Sequence, residues 1–239
     1  MRYFKYFPKI KYDLDNNKQT REIVDVFRLA KIVNQVDDDI SFYRLYTIQE
    51  GERPDHVSQN LYKTPDYYWT FFFVNSNLKN LYIDWPLTFD EMNSKIEEEY
   101  SGEYLKVDSY DLFDQFVLNE TITGLQSGAT AVITDKNPTL GWIRIKDRTG
   151  SFNSGELIFQ QVGDDIYSIQ IDSTQGPFKF APAQYVFDDE VVNRDTPNAA
   201  IVTYSDLEIE KNDAKREIRV IRPEFVDSVK RQFREAINA

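Results

Sequence analysis

The stretch from Phe42 to Trp85 constrains this chain most, because it writes a strand, two short helices and a closing apolar segment into one continuous run. Tyr43, Leu45 and Thr47 alternate with Arg44, Tyr46 and Ile48, all compatible with a pleated strand. The run stops at Glu50-Gly51, where glycine supplies the turn. Pro54 and Pro65 each stand where a helix can begin, since a first-turn proline forfeits no hydrogen bond and its fixed φ already suits the helix. Thr64 is placed to cap the second helix. The expected order is β-α-α-β, with the last strand in the apolar residues that end at Trp85.

The second helix, expected over 66–74, carries Tyr67, Tyr68, Trp69, Phe71, Phe72 and Phe73 on nearly every side. A module this small cannot hide them all by itself. Some of these rings must meet other parts of the chain or another protein, and both uses stay open for each ring. Aromatic residues make up 15% of the sequence, with 15 Tyr and 17 Phe, and rings of this kind are enriched in the buried centres of interfaces.

On these residues the unit resembles a LysM module, whose pattern runs tyrosine, alternating strand, glycine-acid turn, helix, helix, asparagine and a final strand. Tyr43 through Gly51-Glu52 matches the strand and turn, and Asn75-Ser76-Asn77 sits at the asparagine after the second helix. That likeness covers about a fifth of the chain and implies glycan binding. A wider likeness adds Asp25-Val26-Phe27-Arg28, Phe42-Tyr43-Arg44-Leu45, Arg53-Pro54, Asn60-Leu61-Tyr62, Tyr68-Trp69 and the terminal run Lys215 to Ile221. Together these are similar to the baseplate wedge protein of contractile-tailed bacteriophages that carries a LysM-like fold. The wider resemblance implies a structural, non-enzymatic subunit in the virion tail baseplate, assembled in the host cytoplasm and present in multiple copies around the tail axis. Such a subunit joins neighbouring wedges and supports sheath initiation, and its partners are other baseplate wedge proteins and sheath-initiator-type subunits. The resemblance places a protein interface at Tyr67, Tyr68, Trp69, Phe71, Phe72, Arg53, Phe4 and Phe7. The alternative is a LysM-type peptidoglycan or chitin-binding protein.

Charge and composition narrow the partners. The sequence has 28 Lys and Arg against 40 Asp and Glu, a formal net charge of -12. Extended contact with a phosphate backbone is therefore disfavoured, since that binding needs clustered cations. Lys215, Arg216, Arg219 and Arg222 form a basic stretch, but they alternate with Ile218, Val220 and Ile221 as the solvated face of a half-buried strand would. Cysteine is absent, which excludes disulfides, thiolate zinc sites and thiol nucleophiles. The longest aromatic-apolar run, Trp69 to Val74, is far too short to span a bilayer, so no membrane contact is expected.

Around the module, the alternation of Tyr3, Lys5, Phe7, Ile10 and Tyr12, interrupted by Pro8, reads as an extended N-terminal arm. A helix is expected from Thr20 to about Val36, with Ile23, Val26, Phe27, Ala30 and Val33 as its apolar stripe. Another is expected over Thr88 to Glu99. From Phe116 to Ile171 short β segments are punctuated by Gly124, Gly128, Gly141, Gly150 and Gly155, which reads as a small all-β barrel or sandwich inserted into the chain. A weak internal echo links Asn119-Glu120-Thr121-Ile122 to Gly155-Glu156-Leu157-Ile158. A strand near Glu217 to Ile221 and a helix from Pro223 close the sequence, with Phe225, Val226, Val229, Phe233 and Ile237 on one helical face. The fold class is thus α+β: a small β-α-α-β LysM-like module with flanking helices, plus the inserted β module. The expected divisions are 1–40, 41–90, 91–115, 116–171 and 172–239.

No catalytic, cofactor or metal pattern emerges. His56 is the one histidine in the sequence, and Ser58 two residues on does not face it on a helix. The acid runs Asp37-Asp38-Asp39, Asp164-Asp165 and Asp188-Asp189-Glu190 lack the alternate oxygen ligands and distal glutamate of a calcium loop, and read as solvated turns.

Overall fold

Strand β3 (Tyr43–Thr47) finds its partner near the far end of the chain. It pairs antiparallel with β14 (Glu217–Ile221), Leu45 lying opposite Arg219. The computed structural model describes residues 7–13, 20–25, 40–78, 80, 83–107, 113–172 and 175–238. They divide between two units, Met1–Thr88 with Asn212–Ala239, and Phe89–Lys211.

In the first unit the helices α1 (Pro54–Tyr62) and α2 (Trp69–Val74) follow β3 and supply the core beneath the strand pair. Ile48, Val57, Phe71, Leu78, Trp85, Ile218 and Val220 form one buried cluster. Pro54 opens α1, and Lys63 closes it in the left-handed region (φ 59°) with its N–H on the Gln59 carbonyl. A 3-10 turn at Pro65–Tyr67 precedes α2, and the Thr64 hydroxyl accepts from the Asp66 N–H as the sequence anticipates.

The β-α-α-β order is therefore completed by residues 217–221, not by those ending at Trp85. Ile83 and Asp84 instead turn back on Asn80, both donating to its carbonyl. Trp85 points inward, its indole N–H on the Glu52 carbonyl at 2.7 Å and its ring against Phe71 and Phe72. Leu81 and Tyr82 lie outside the described residues. Strand β14 wins this place because Ile218, Val220 and Ile221 bury completely while Glu217 and Arg219 stay in solvent.

The N-terminal segment also departs from expectation. Arg21–Val24 is not the start of a helix but β2, paired antiparallel with β1 (Lys9–Tyr12). Ile10 lies opposite Ile23, and Lys9 reaches Glu22 at 3.8 Å. Two alternating segments within hairpin reach satisfy their ladders on one another, and this outweighs the helical spacing of the apolar residues. The rest of the expected helix, 26–36, lies outside the described residues. Helix α5 (Pro223–Asn238) begins where the proline predicts. Its apolar face serves two clusters, Val226 and Val229 against Tyr43, Tyr67 and Val74, and Phe233 and Ile237 against Phe7.

The second unit opens with α3 (Phe89–Glu99). Seven strands then form one antiparallel sheet in the order β10-β4-β7-β6-β5-β8-β9. They are β4 (Glu103–Lys106), β5 (Thr121–Gly124), β6 (Thr130–Asn137), β7 (Trp142–Thr149), β8 (Leu157–Val162), β9 (Asp165–Gln170) and β10 (Gln175–Pro177). Among the described residues no closed barrel forms, because β9 and β10 end the sheet without pairing to each other. One face carries a core that includes Leu105, Phe113, Phe116, Ile122, Ile143, Phe152 and Ile158. A second sheet orders β12 (Glu190–Val192), β11 (Pro182–Phe187) and β13 (Ala200–Thr203), and α4 (Tyr204–Asp213) carries the chain back to the first unit. Asp188 and Asp189 are the two central residues of the β11–β12 hairpin, with φ of 49° and 62°. Both positive angles fit a type I′ turn, so this acidic pair is a turn.

The internal echo contains one clamp. Glu156 is fully buried and its carboxylate accepts from the N–H groups of Gln126, Ser127 and Asn153 and from the Ser127 hydroxyl. Burial works to raise this carboxyl, but those hydrogen bonds, with Ser127 foremost, together hold it below the usual glutamate range. Gly124 lets the carboxylate approach, since a Cβ there would lie 2.9 Å from both its oxygens and 2.3 Å from the Ser127 Oγ.

Candidate protein interface

The aromatic residues of α2 and the turn before it spread over three directions instead of forming one exposed patch. Phe71 is wholly buried, with Tyr62 stacked at 6.1 Å and Trp85 at 6.2 Å. Tyr67 is buried against α5, where its hydroxyl donates to Asp227 at 2.6 Å and accepts from the Lys230 ammonium, which also sits 4.9 Å over the ring. Burial, then the Asp227 hydrogen bond, raise the Tyr67 hydroxyl pKa against the opposing pull of Lys230. Phe7 is buried on Phe233. These three rings are thus used by the chain's own core, and the C-terminal helix and N-terminal segment are what cover them.

The remaining sequence-selected residues divide further. Trp69, Tyr68 and Phe72 are half-buried. Trp69 stacks on Phe233 at 4.5 Å and meets Phe73 edge-on, and Phe72 leans on Trp85. Arg53 is exposed ahead of α1 and pairs with Asp55 at 3.2 Å. Phe4 lies outside the described residues.

Tyrosine hydroxyls tie the helices to the strand pair. Tyr62 donates to the Ile221 carbonyl at 2.8 Å, and burial pushes its pKa up to about 12. Tyr46 donates to both carboxylate oxygens of Glu52 and is pushed to about 12 by burial first and by Glu52 second. Asn75 follows α2 and its side-chain amide meets Arg219 of β14, accepting from the N–H and donating to the C=O, each at 2.8 Å. The LysM likeness marks this asparagine in the sequence. What it holds is not legible there, because the strand it meets lies 144 residues on.

Ser58 is buried, donating to the Thr64 carbonyl and accepting from the Tyr67 N–H, while His56 faces solvent. Among the described residues no three His, Cys, Asp or Glu side chains gather as a metal site, and no helix is long and apolar enough to cross a membrane.

No curated protein matches the chain. Over residues 2–112, a little under half its length, the chain matches the family described as Base plate wedge protein 53.

Proposed function

We propose that this protein is a structural subunit of a phage tail baseplate wedge, which joins neighbouring wedges and supports sheath initiation. The match over residues 2–112 carries the reading, because it takes in β1, β2, β3, α1 and α2 of the first unit. The partners are other wedge proteins and sheath-initiator-type subunits, and several copies surround the tail axis in the virion. The half-exposed Trp69, Tyr68 and Phe72, with Arg53, are the surface through which the joint works. The second unit is a module set into the first, and it adds surface without interrupting the strand pair.

Tails purified from phage that lack this protein test the reading. Free wedges without closed rings, restored to rings by adding the protein, are the expected outcome in electron micrographs. Complete, sheathed tails assembled without it would overturn the proposal. Retention on purified peptidoglycan that depends on Gly51 to Pro54 would favour a wall-binding protein instead.

A further inference from the structure

The β3–β14 pair has two outer edges, and the described residues finish only one of them. Arg222 donates its N–H to the Phe42 carbonyl at 2.9 Å and Ile48 to the Arg216 carbonyl at 2.8 Å. With the antiparallel register, this alternation points the main-chain groups of Tyr43, Leu45 and Thr47 outward on β3, and those of Arg219 outward on β14. On the β14 side the Asn75 amide takes both groups of Arg219. On the β3 side the Tyr43 carbonyl accepts from Arg222 Nε at 3.0 Å and the Thr47 carbonyl from Gln49 Nε2 at 2.9 Å. Between them the N–H and C=O of Leu45, the residue opposite Arg219, have no hydrogen bond among the described residues. Leu45 is 66% exposed.

Charge marks the same strand pair. Arg44, Arg219 and Arg222 are exposed and none forms an ion pair among the described residues, in a chain where 40 acidic residues outnumber 28 basic ones. The pleat sends Arg44 to the face of Tyr46 and Arg219, one strand further in on β14, to the face of Leu45, so each face of the strand pair carries a cation that a long side chain can extend toward a strand laid beside β3. A second copy is disfavoured there, since β3 beside β3 would bring two sets of these arginines together.

We propose that the outer edge of β3 accepts an extended acidic segment of a partner protein as an added strand. The N–H and C=O of Leu45 anchor its main chain, and Arg44 and Arg219 select its carboxylates. Any partner that presents such a strand would serve, within a baseplate or outside one.

The full chain, labelled for amide exchange by NMR, is titrated with a short synthetic peptide alternating Val or Thr with Asp, and in parallel with its Lys counterpart. The acidic peptide is expected to slow exchange at Leu45 and Thr47 by about tenfold or more, and to leave Arg44 and Tyr46, already bonded to β14, unchanged. Leu45→Pro removes the outward N–H and should abolish the effect. The double variant Arg44→Glu with Arg219→Glu, which leaves the main chain untouched, should shift preference to the Lys peptide. Equal response to both peptides, no protection by either at millimolar concentration, or protection that grows with protein concentration alone would overturn the proposal, the last by assigning the edge to a second copy.

Discussion

The side-chain amide of Asn212 grips the main chain of Leu87, accepting from its N–H at 2.8 Å and donating to its C=O at 3.0 Å. Leu87 lies just before the chain leaves the first unit at Thr88, and Asn212 is where it returns. Arg216 strengthens the tie, reaching Glu50 at 2.8 Å and Asp213 at 3.0 Å. The first unit thus closes its own gap with its own side chains. A long insertion there adds little closure entropy, since that cost grows only with the logarithm of length.

Asn212→Leu should therefore destabilise the first unit by about 2 kcal/mol, two hydrogen bonds lost, the Leu87 N–H left unpaired and its C=O held only by Arg216 at 3.4 Å. Urea unfolding followed by tryptophan fluorescence checks this, with Trp69 and Trp85 in the first unit and Trp142 in the second. Variants that keep only Trp142 should show an unchanged midpoint. A shift of that midpoint by the same amount would mean the tie does not belong to the first unit alone.

Glu156 makes the second unit sensitive to acid. Its folded pKa lies below the ordinary value, so its stabilisation is fully present above the unfolded carboxyl, about 4.3, and is lost as pH falls through the lower folded value. Glu156→Gln should cost about 2 kcal/mol at neutral pH and flatten the acid limb of a melting-temperature profile. Gly124→Ala should produce a loss of similar size, because its Cβ collides with the clamp. An acid limb that keeps its slope in Glu156→Gln would assign the sensitivity to other carboxylates, with Glu208 between Lys95 and Lys211 the next to examine.

Local chemistry was legible in the sequence where the deciding partners are near. Pro54, Thr64-Pro65 and Pro223 mark their elements because a proline or a cap acts within one turn. The alternation of Ile218 and Val220 with charged neighbours marks β14 for the same reason. What joins β3 to β14 is a choice between the apolar run ending at Trp85 and a strand more than a hundred residues away, and local pattern does not rank the two. Arg21–Val24 satisfies a helical and a strand spacing alike, and only β1 decides it. The aromatic residues of α2 were countable, but their division between core and surface follows from where α5 lies, which composition does not contain.

The second unit should fold as 89–211 and not as 116–171. Leu105 and Val107 belong to its core cluster, and β4 pairs with both β7 and β10. The shorter fragment loses that strand and opens the sheet beside β7. Circular dichroism and thermal melts of the two fragments should give a cooperative transition for 89–211 and a weak, broad one for 116–171. Equal cooperativity in both would show that β4 and β10 are accessories.

Trp69 and Phe71 separate core from joint. Phe71 has no exposure, and truncation to alanine should destabilise the isolated protein by about 3–5 kcal/mol. Trp69 is half-exposed and stacked on Phe233, so Trp69→Ala should forfeit the stacking and part of the burial, about 2 kcal/mol, and stay folded. Phe233→Leu supplies the control, because it disturbs the same stack from the buried side and leaves the surface of Trp69 in place. If Trp69 is an anchor of the wedge joint, Trp69→Ala should lower incorporation into baseplate rings well below that of Phe233→Leu at matched thermal stability. Equal incorporation of the two would make the indole a part of the fold alone and move the joint to other residues.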